Sequence, residues 1–316
     1  MTSAVKAATD LGLKRSQNED SHGFWIPEDE ARRARRGVLL VVADGMGGSR
    51  AGEVASRLAV ETVLSVYRSA EDEDVPVVLR RAVEEANRVV HGESVARPDL
   101  HGMGTTCTAV VVRGHEAWLA HVGDSRAYLL RQGAIEQLTR DHSLVAQLVR
   151  ENQLTREEAR TDPRRNVVTR SVGVAPEVEV DVEAFPQALR PGDTLLLCSD
   201  GLHGLVNDEE LAETGSGPDL ERSCRELIAL ARERGGPDNI TVLLARLEEP
   251  KRRAANRSGT QARAPSSQRT LLLLILALVV LLVILATIGW LVVRKTMESR
   301  TRNAAVPVAV EPRETS

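Results

Sequence analysis

Aromatic side chains are scarce in this sequence, since Phe, Trp and Tyr together make up only 2% of its 316 residues. A folded core must therefore consist mainly of Leu, Val, Ile and Ala. Proteins that bind single-stranded nucleic acid commonly stack bases on aromatic rings. The scarcity of such rings argues against that class of function, and we expect no nucleic-acid partner.

Cysteine is also rare, and Cys107, Cys198 and Cys224 are widely separated. The sequence has neither a CxxC motif nor a Cys/His spacing typical of zinc sites. Cys107 and Cys198 lie in apolar, strand-like runs, so we expect buried, reduced thiols in a reducing compartment. The N-terminus lacks the apolar stretch of a secretory signal peptide, and no leader is expected.

Acidic and basic residues are distributed unevenly, although the net charge is only −4. Residues 251–316 contain 11 Lys or Arg and 3 Asp or Glu, whereas residues 1–250 contain 30 and 42. The N-terminal part is therefore acidic, which disfavours nucleic acid and favours cations as ligands.

The long apolar run Leu271–Val293 has 23 residues without a charge. A helix of that length spans about 34 Å, enough to cross the hydrocarbon layer of a bilayer. We therefore predict a transmembrane helix over 271–293, a flexible basic linker over 249–270 and a short disordered tail over 294–316. Lys and Arg are more numerous before the run than after it, which predicts a single-pass protein of the inner or plasma membrane with residues 1–248 in the cytoplasm.

Hydrophobic periodicity predicts the elements of the N-terminal part. The predicted helices are Ala51–Tyr67, Pro76–Ala96, Leu144–Glu151, a short one opened by Thr155, and Pro218–Glu233. The predicted strands are Thr105–Val112, Glu116–Val122, Arg126–Arg131, Ala134–Leu138, Val178–Val182, Thr194–Cys198 and Ile240–Leu247. Residues 27–37 are expected to form a surface hairpin or loop. The polar stretch Asp141–Val172 is expected to be either a substrate-recognition flap or a merely decorative insertion.

Four acidic residues lie beside apolar strand-like runs, usually next to a glycine: Asp44, Asp124, Asp200 and Asp238. Taken singly, each is compatible with an ordinary turn, and we expect Asp44 in the glycine-rich turn after Val38–Ala43. Strand ends can meet at one rim of a sheet sandwich, where crowded carboxylates are tolerable only with cations among them. Oxygen ligands without a histidine cluster favour Mg²⁺ or Mn²⁺ over Zn²⁺.

A second acidic stretch places Glu19 and Asp20 four and five residues after Arg15. Neighbouring residues on a strand point to opposite faces, so the two carboxylates need not serve the same site. In isolation this stretch is more typical of a solvated loop.

Taken together, these segments resemble the metal-dependent PP2C-type (PPM) protein serine/threonine phosphatases, especially the bacterial members. The matching stretches occur in the family's order over roughly residues 5–247: Arg15…Asn18-Glu19-Asp20, ADGMGG at 43–48 with AGEVAS at 51–56, GMGTT at 102–106, HVGDSRAYLLRQG at 121–133, LLCSDGL at 196–202 and GGPDNITV at 235–242. The resemblance implies an α+β fold, a four-layer α/β/β/α sandwich of two antiparallel sheets flanked by helices. The catalytic domain would cover residues 1–248, with two or three Mn²⁺ or Mg²⁺ ions in a channel at one rim.

The resemblance also implies roles for individual residues. Asp44 would bridge the first two ions, helped by the carbonyl oxygen of Gly45. Asp200 and Asp238 would complete the coordination of the first ion. In the animal enzymes a histidine follows the Asp-Gly pair, and here Met46 stands there. A thioether cannot donate a proton, so the leaving group must be protonated by another group.

The remaining roles implied by the resemblance concern the second ion, a weaker third ion and the substrate. Glu19 and Asp20 would act on the second ion largely through water. Asp124 and Asn166, together with Asp200, would form the third site. Arg15 would grip the substrate phosphate, a role that suits its bidentate guanidinium group.

The expected function is hydrolysis of phosphoserine and phosphothreonine in proteins by a metal-activated water. The expected partners are phosphorylated proteins, including membrane-associated serine/threonine kinases and their substrates, whose signalling the enzyme would reverse at the inner membrane face. The alternative is a catalytically silent, membrane-tethered scaffold that binds phosphoproteins without turnover.

Overall fold

A computed structural model of the chain describes residues 2–48, 51–71, 73–185, 187–248 and 267–303. The chain separates into two units, Met1–Lys251 and Arg252–Ser316. Most of the predicted linker, from 249 to 266, lies outside the described residues, as does the predicted tail from 304 onward.

Two antiparallel sheets form the centre of the first unit. In the described residues the strands are β1 (Thr2–Asp10), β2 (Asp20–Trp25), β3 (Val38–Met46), β4 (Gly104–Thr105), β5 (Cys107–Arg113), β6 (Glu116–Val122), β7 (Arg126–Arg131), β8 (Ala134–Gln137), β9 (Asp181–Ala184), β10 (Thr194–Cys198) and β11 (Ile240–Glu248). One sheet has the order β1-β11-β10-β7-β8. The other has the order β2-β3-β5-β6-β9, with β4 added beside β3.

Helices cover the outer faces of both sheets. In the described residues of the first unit the α-helices are α1 (Glu30–Arg36), α2 (Ala51–Ser69), α3 (Val75–Ala96), α4 (Leu144–Arg150), α5 (Arg156–Thr161), α6 (Asp200–His203), α7 (Asp208–Gly215) and α8 (Leu220–Glu233). The pair α2 and α3 packs on the β3 sheet, while α7 and α8 pack on the β11 sheet. The predicted four-layer sandwich is confirmed.

The apolar run of β3 is continuous because both faces of this strand are buried. Leu40 and Val42 join the core between the sheets, whereas Leu39 and Val41 join the core beneath α2 and α3. Side chains alternate along a strand. The position of Asp44 in this alternation therefore directs it to the same side as Val42, towards the opposite sheet.

Several local predictions differ from the structure. Residues 27–37 contain the helix α1, so the predicted loop or hairpin is wrong; Asp29 caps this helix by accepting from the Arg32 N–H. The strand predicted at Val178–Val182 begins later, as β9. Strands β1 and β2 and helix α7 were not predicted.

Helix α9 is described by itself, as the second unit. It begins at Ser267 and ends at Asn303, so it extends beyond the predicted span 271–293 on both sides. The first part of the predicted disordered tail is therefore helical. Within the described part of the chain, Ile275–Lys295 is the segment long and apolar enough to cross a membrane, with 21 residues and a mean hydropathy of 3.0.

Candidate metal centre

The first two carboxylates of the candidate site face each other across neighbouring strands. Asp20 of β2 is the antiparallel partner of Asp44 of β3, and directly opposed residues project from the same face of a sheet. The prediction that Asp44 lies in a turn is wrong, because β3 continues to Met46. The Asp44 N–H donates to Thr106 Oγ1 at 2.8 Å, and its carbonyl oxygen accepts from the Thr106 N–H at 2.8 Å.

Three further carboxylates come from strand ends and connections. Asp124 lies in the turn between β6 and β7, Asp200 begins α6 directly after β10, and Asp238 precedes β11. The charges of all three act on the Asp44 carboxyl group, as does that of Asp20. The structure therefore brings together five carboxylates, of which the first and last, Asp20 and Asp238, are 218 residues apart in the sequence.

Burial and mutual repulsion raise the pKa values of four of these carboxyl groups, those of Asp20, Asp44, Asp124 and Asp200. Burial, together with the charges of Asp200 and Asp238, raises the pKa of Asp20 to about 7. Burial and the charge of Asp200 raise the pKa of Asp124 to about 8, and burial and Asp238 raise that of Asp200 to about 6. The pKa of Asp44 lies well above its ordinary value for the same reasons, burial first and then its acidic neighbours.

The cluster fits divalent cations. Asp20 Oδ2 accepts from Ser199 Oγ at 2.7 Å, but Asp20 Oδ1 and Glu19 Oε1 are buried without a hydrogen-bond partner. Buried carboxylate oxygens without partners, among other carboxylates, are typical of sites that hold hard cations. Among the described residues, no group of three or more Asp, Glu, His or Cys side chains is arranged so that it could hold a metal ion by itself. Backbone oxygens or water must therefore complete the coordination, which Mg²⁺ readily accepts.

Glu19 lies directly before β2 and contacts the start of α2. A Cβ on Gly52, at the start of α2, would lie 2.8 Å from Glu19 Cδ. The Gly45 N–H donates to the Glu19 carbonyl oxygen at 3.0 Å, and a Cβ on Gly45 would lie 2.1 Å from the Gly52 carbonyl oxygen. The two glycines therefore allow β3, α2 and Glu19 to approach closely.

Arg15 lies at the edge of the cluster, with 45% of its side chain exposed. Its Nη2 donates to Asp238 Oδ2 at 2.7 Å, and its Nη1 is 3.8 Å from Glu19 Oε2. The loop that carries Arg15 is held by the buried Asn239, whose Nδ2 donates to the carbonyl oxygens of Leu11 and Gln17 at 3.0 and 2.9 Å.

Two of the residues named from the sequence lie apart from these contacts. Asn166 is exposed in the turn after α5, and its side chain makes no hydrogen bond within the part of the chain described here. Its part in a third metal site stays a prediction. Met46 ends β3 opposite Gly104 of β4.

Sequence reasoning missed the residues that hold the carboxylates in place. Ser199 donates to Asp20, Thr106 fixes the backbone of Asp44, and the Asn239 side chain accepts from the Glu19 N–H at 2.8 Å. Ser199 and Asn239 lie next to Asp200 and Asp238, so the available signal was the polar residue adjacent to an aspartate. Thr106 lies in the stretch GMGTT, which has no aspartate, and its contact with Asp44 arises from the tertiary structure.

Comparisons with known proteins agree with this geometry. The chain matches the protein phosphatase 2C family over residues 14–245. It is 39% identical over 241 residues to the serine/threonine phosphatase stp of Listeria monocytogenes, covering 75% of this chain and 92% of that relative. It is 41% identical over 239 residues to the serine/threonine protein phosphatase PstP of Mycobacterium tuberculosis, covering 76% of this chain and 44% of that relative.

Solved structures give the same result for the fold. The crystal structure of the Mycobacterium tuberculosis phosphatase PstP/Ppp superposes with a TM-score of 0.70 at 40% identity, covering 79% of this chain and 100% of that one. The catalytic domain of PstP in complex with two manganese ions gives a TM-score of 0.68 at 39% identity, covering 78% and 99%.

Proposed function

Because this chain belongs to the protein phosphatase 2C family and is a protein serine/threonine phosphatase, we propose that its carboxylate cluster hydrolyses phosphoserine and phosphothreonine in proteins at the inner face of a membrane. The observation that carries the chemistry is the convergence of five carboxylates, whose burial and mutual repulsion raise the pKa values of Asp20, Asp44, Asp124 and Asp200. The cofactor is Mn²⁺ or Mg²⁺, in keeping with the two manganese ions of the related PstP domain.

Asp44 would be the residue shared by two ions, since the charges of the other four aspartates of the cluster all act on its carboxyl group. In this proposal Asp200 and Asp238 bind the first ion with Asp44, and Gly45 contributes its carbonyl oxygen. Asp20 and Glu19 act towards the second ion, and Asp124 towards a third. When bound, the ions lower the pKa of a water molecule so that it can attack phosphorus, and they offset the charge of the phosphoryl group.

Arg15 is proposed to orient the substrate phosphate. Its guanidinium group is exposed enough to reach a ligand, and charge-assisted hydrogen bonds from Arg to phosphate are short and directional. Because Arg15 also donates to Asp238, substrate and Asp238 compete for the same donor. Binding of an ion to Asp238 would release Arg15 for the phosphate.

The membrane location is proposed from α9. The Ile275–Lys295 segment is long enough to span a bilayer, and Lys and Arg are concentrated before it in the sequence. With the catalytic part on the inner side, a tether of about 20 residues keeps the site within a few nanometres of the membrane. Membrane-associated serine/threonine kinases and their substrates are therefore the proposed targets.

The catalytic proposal is tested with the full chain in detergent micelles and a phosphothreonine peptide. Phosphate release should require Mn²⁺ or Mg²⁺ and should be abolished in Asp44→Asn and Asp238→Asn. Cys198→Ser, which changes a buried thiol outside the cluster, serves as the matched control and should retain activity. Binding of the peptide without turnover at saturating Mn²⁺ would instead support a scaffold.

The membrane proposal needs a separate experiment. Phosphoproteomes of cells that contain the full chain should differ from those of cells with a chain ending at residue 251, and the difference should be concentrated in membrane proteins. Equal dephosphorylation of the same proteins by both forms would refute the role of the anchor, while leaving the catalytic proposal intact.

A further inference from the structure

The turn Gly123-Asp124-Ser125 is fixed on one side by Thr106. Gly123 has a φ of 110°, and a Cβ there would lie 2.6 Å from the Thr106 Cβ atom. Thr106 Oγ1 is hydrogen-bonded to Ser125 Oγ at 2.8 Å and also accepts from the Asp44 N–H at 2.8 Å. The position of Asp124 is therefore tied to the position of Asp44.

His142 fixes the other side of this turn with two hydrogen bonds. The His142 N–H donates to the Gly123 carbonyl oxygen at 2.8 Å, and the Gly123 N–H donates to His142 Nδ1 at 3.1 Å. His142 begins the flap-like stretch that follows, and its own carbonyl oxygen accepts from the Thr169 N–H at 2.8 Å. The metal-site turn and both ends of this stretch therefore meet at one residue, His142.

The hydrogen bonds of His142 select one tautomer. Because Nδ1 accepts from Gly123, the proton must lie on Nε2, which is 3.1 Å from Asp181 Oδ2 and can donate to it. In the other tautomer the Nδ1–H group would point at the Gly123 N–H, and the lone pair of Nε2 would face the carboxylate of Asp181. Its single gain would be acceptance from Arg170 Nη1, 3.3 Å from Nε2.

Asp181 is itself held in place by a residue of the stretch Asp141–Val172. Arg170 Nη1 donates to Asp181 Oδ1 at 2.7 Å, and Arg170 also pairs with Glu179 at 2.8 Å. Asp181 lies on β9 opposite His121 of β6, the strand that leads into the Gly123 turn. A series of hydrogen bonds therefore connects the stretch Asp141–Val172 with the carboxylate cluster. It runs from Arg170 through Asp181 and His142 to Gly123.

We propose that His142, in its neutral Nε2–H form and oriented by Asp181, is a positioning residue that sets Asp124 for metal binding. This inference rests on the proposed function, because it concerns the same metal site. It differs from a purely structural role in one respect. Loss of the Gly123 bond should weaken metal binding through Asp124 specifically.

The tautomer can be measured without a variant. We expect ¹⁵N NMR of the full chain in micelles, labelled at histidine, to give a protonated Nε2 and an unprotonated Nδ1 for His142. His115 is an internal control, since its Nδ1 lies 2.8 Å from the Leu189 carbonyl oxygen and must carry the proton. A His142 resonance pattern like that of His115 would overturn the proposal. Asp181→Asn should shift His142 towards the Nδ1–H form.

Two matched variants test the consequence for metal binding. Asn at position 142 can place its carbonyl oxygen where Nδ1 accepts, whereas Gln reaches towards Asp181 and leaves the Gly123 N–H without an acceptor. We expect His142→Gln to weaken Mn²⁺ binding in calorimetry about tenfold or more, as changes behind metal ligands do, and His142→Asn to do so much less. His115→Gln should leave the affinity unchanged. Equal affinities for wild type and His142→Gln would refute the proposal.

A double-variant cycle separates positioning from a general loss of structure. In an Asp124→Ala background, His142→Gln should cause no further loss of Mn²⁺ affinity. An undiminished further loss would assign His142 a structural role only. If the wild-type chain binds no Mn²⁺ at all, the proposed function itself fails, whereas normal Mn²⁺ binding with the wrong tautomer refutes the inference alone.

Discussion

Replacing Asp20 by Asn should make the metal-free domain more stable while impairing metal binding. The Asp20 carboxyl group is buried beside Asp200 and Asp238, which raises its pKa from 3.8 to about 7. Between these two pH values the folded state binds more protons than the unfolded state. The free energy of unfolding of the wild type therefore falls as the pH rises through this window.

The size of the effect follows from the two pKa values. The rise from 3.8 to about 7 corresponds to about 4 kcal/mol at pH 8, at about 1.4 kcal/mol per pKa unit. Asparagine avoids the charge but still requires a partner for its amide, so we expect a net gain of about 2 kcal/mol. For a domain of this size that gain raises Tm by about 5 °C.

The assay is thermal unfolding of the metal-free protein, followed by circular dichroism at pH 4 and at pH 8. At pH 4 the Asp20 carboxyl group is protonated in the folded wild type, so Asp20→Asn should be the less stable protein because of its amide, whereas at pH 8 the variant should be the more stable one. The control is Glu213→Gln, an exposed change on α7. Its Tm should differ little from that of the wild type at both pH values. Adding Mn²⁺ should stabilise the wild type more than the variant. A variant that is no more stable than wild type at pH 8 would refute the account of repelling carboxylates.

Three further changes test single contacts. Gly45→Ala should destabilise the domain by more than about 2 kcal/mol in a urea titration, because the added Cβ would lie 2.1 Å from the Gly52 carbonyl oxygen. The control is Gly92→Ala, whose Cβ would meet no atom within 4 Å and which should not be destabilising. Asp141→Ala should cost about 3 kcal/mol in the same titration, since it leaves the partly buried Arg126 without the carboxylate that it contacts at 2.7 Å. A loss below about 1 kcal/mol would mean that the pair is effectively solvated. Arg15→Lys should raise KM for a phosphopeptide about tenfold in a phosphate-release assay, and an unchanged KM would remove Arg15 from phosphate binding.

The sequence was informative about the centre of the fold, because β3, β5, β6, β10 and β11 carry strong apolar patterns. It was less informative about the edges. Strand β1 consists largely of small and polar residues, and it pairs with β11 along its whole length, from Thr2 opposite Glu248 to Asp10 opposite Ile240. Its conformation is set by a partner more than two hundred residues away, which local patterns do not reveal.

Helix α1 was mistaken for a loop for a related reason. Its sequence, EARRARR, has no apolar face, and the helix depends on contacts outside itself. Asp29 caps it, and the Arg32 guanidinium group lies 5.2 Å from the centre of the Trp25 ring. These contacts stabilise a short charged helix that periodicity alone does not predict.

The candidate site was predicted in composition rather than in geometry. The aspartates were identified from their strand ends, but the pairing of Asp20 with Asp44 depends on the register of β2 and β3. The positions of Ser199, Thr106 and His142 depend on contacts between different sheets and connections. Such contacts arise only when the two sheets are packed together.

Anomalous diffraction from crystals soaked in MnCl₂ tests the central claim most directly. We expect two manganese peaks in the cluster. Asp44 should contact both of them, whereas Asp200 and Asp238 should contact only one. Manganese peaks elsewhere on the protein, with none among these carboxylates, would contradict it.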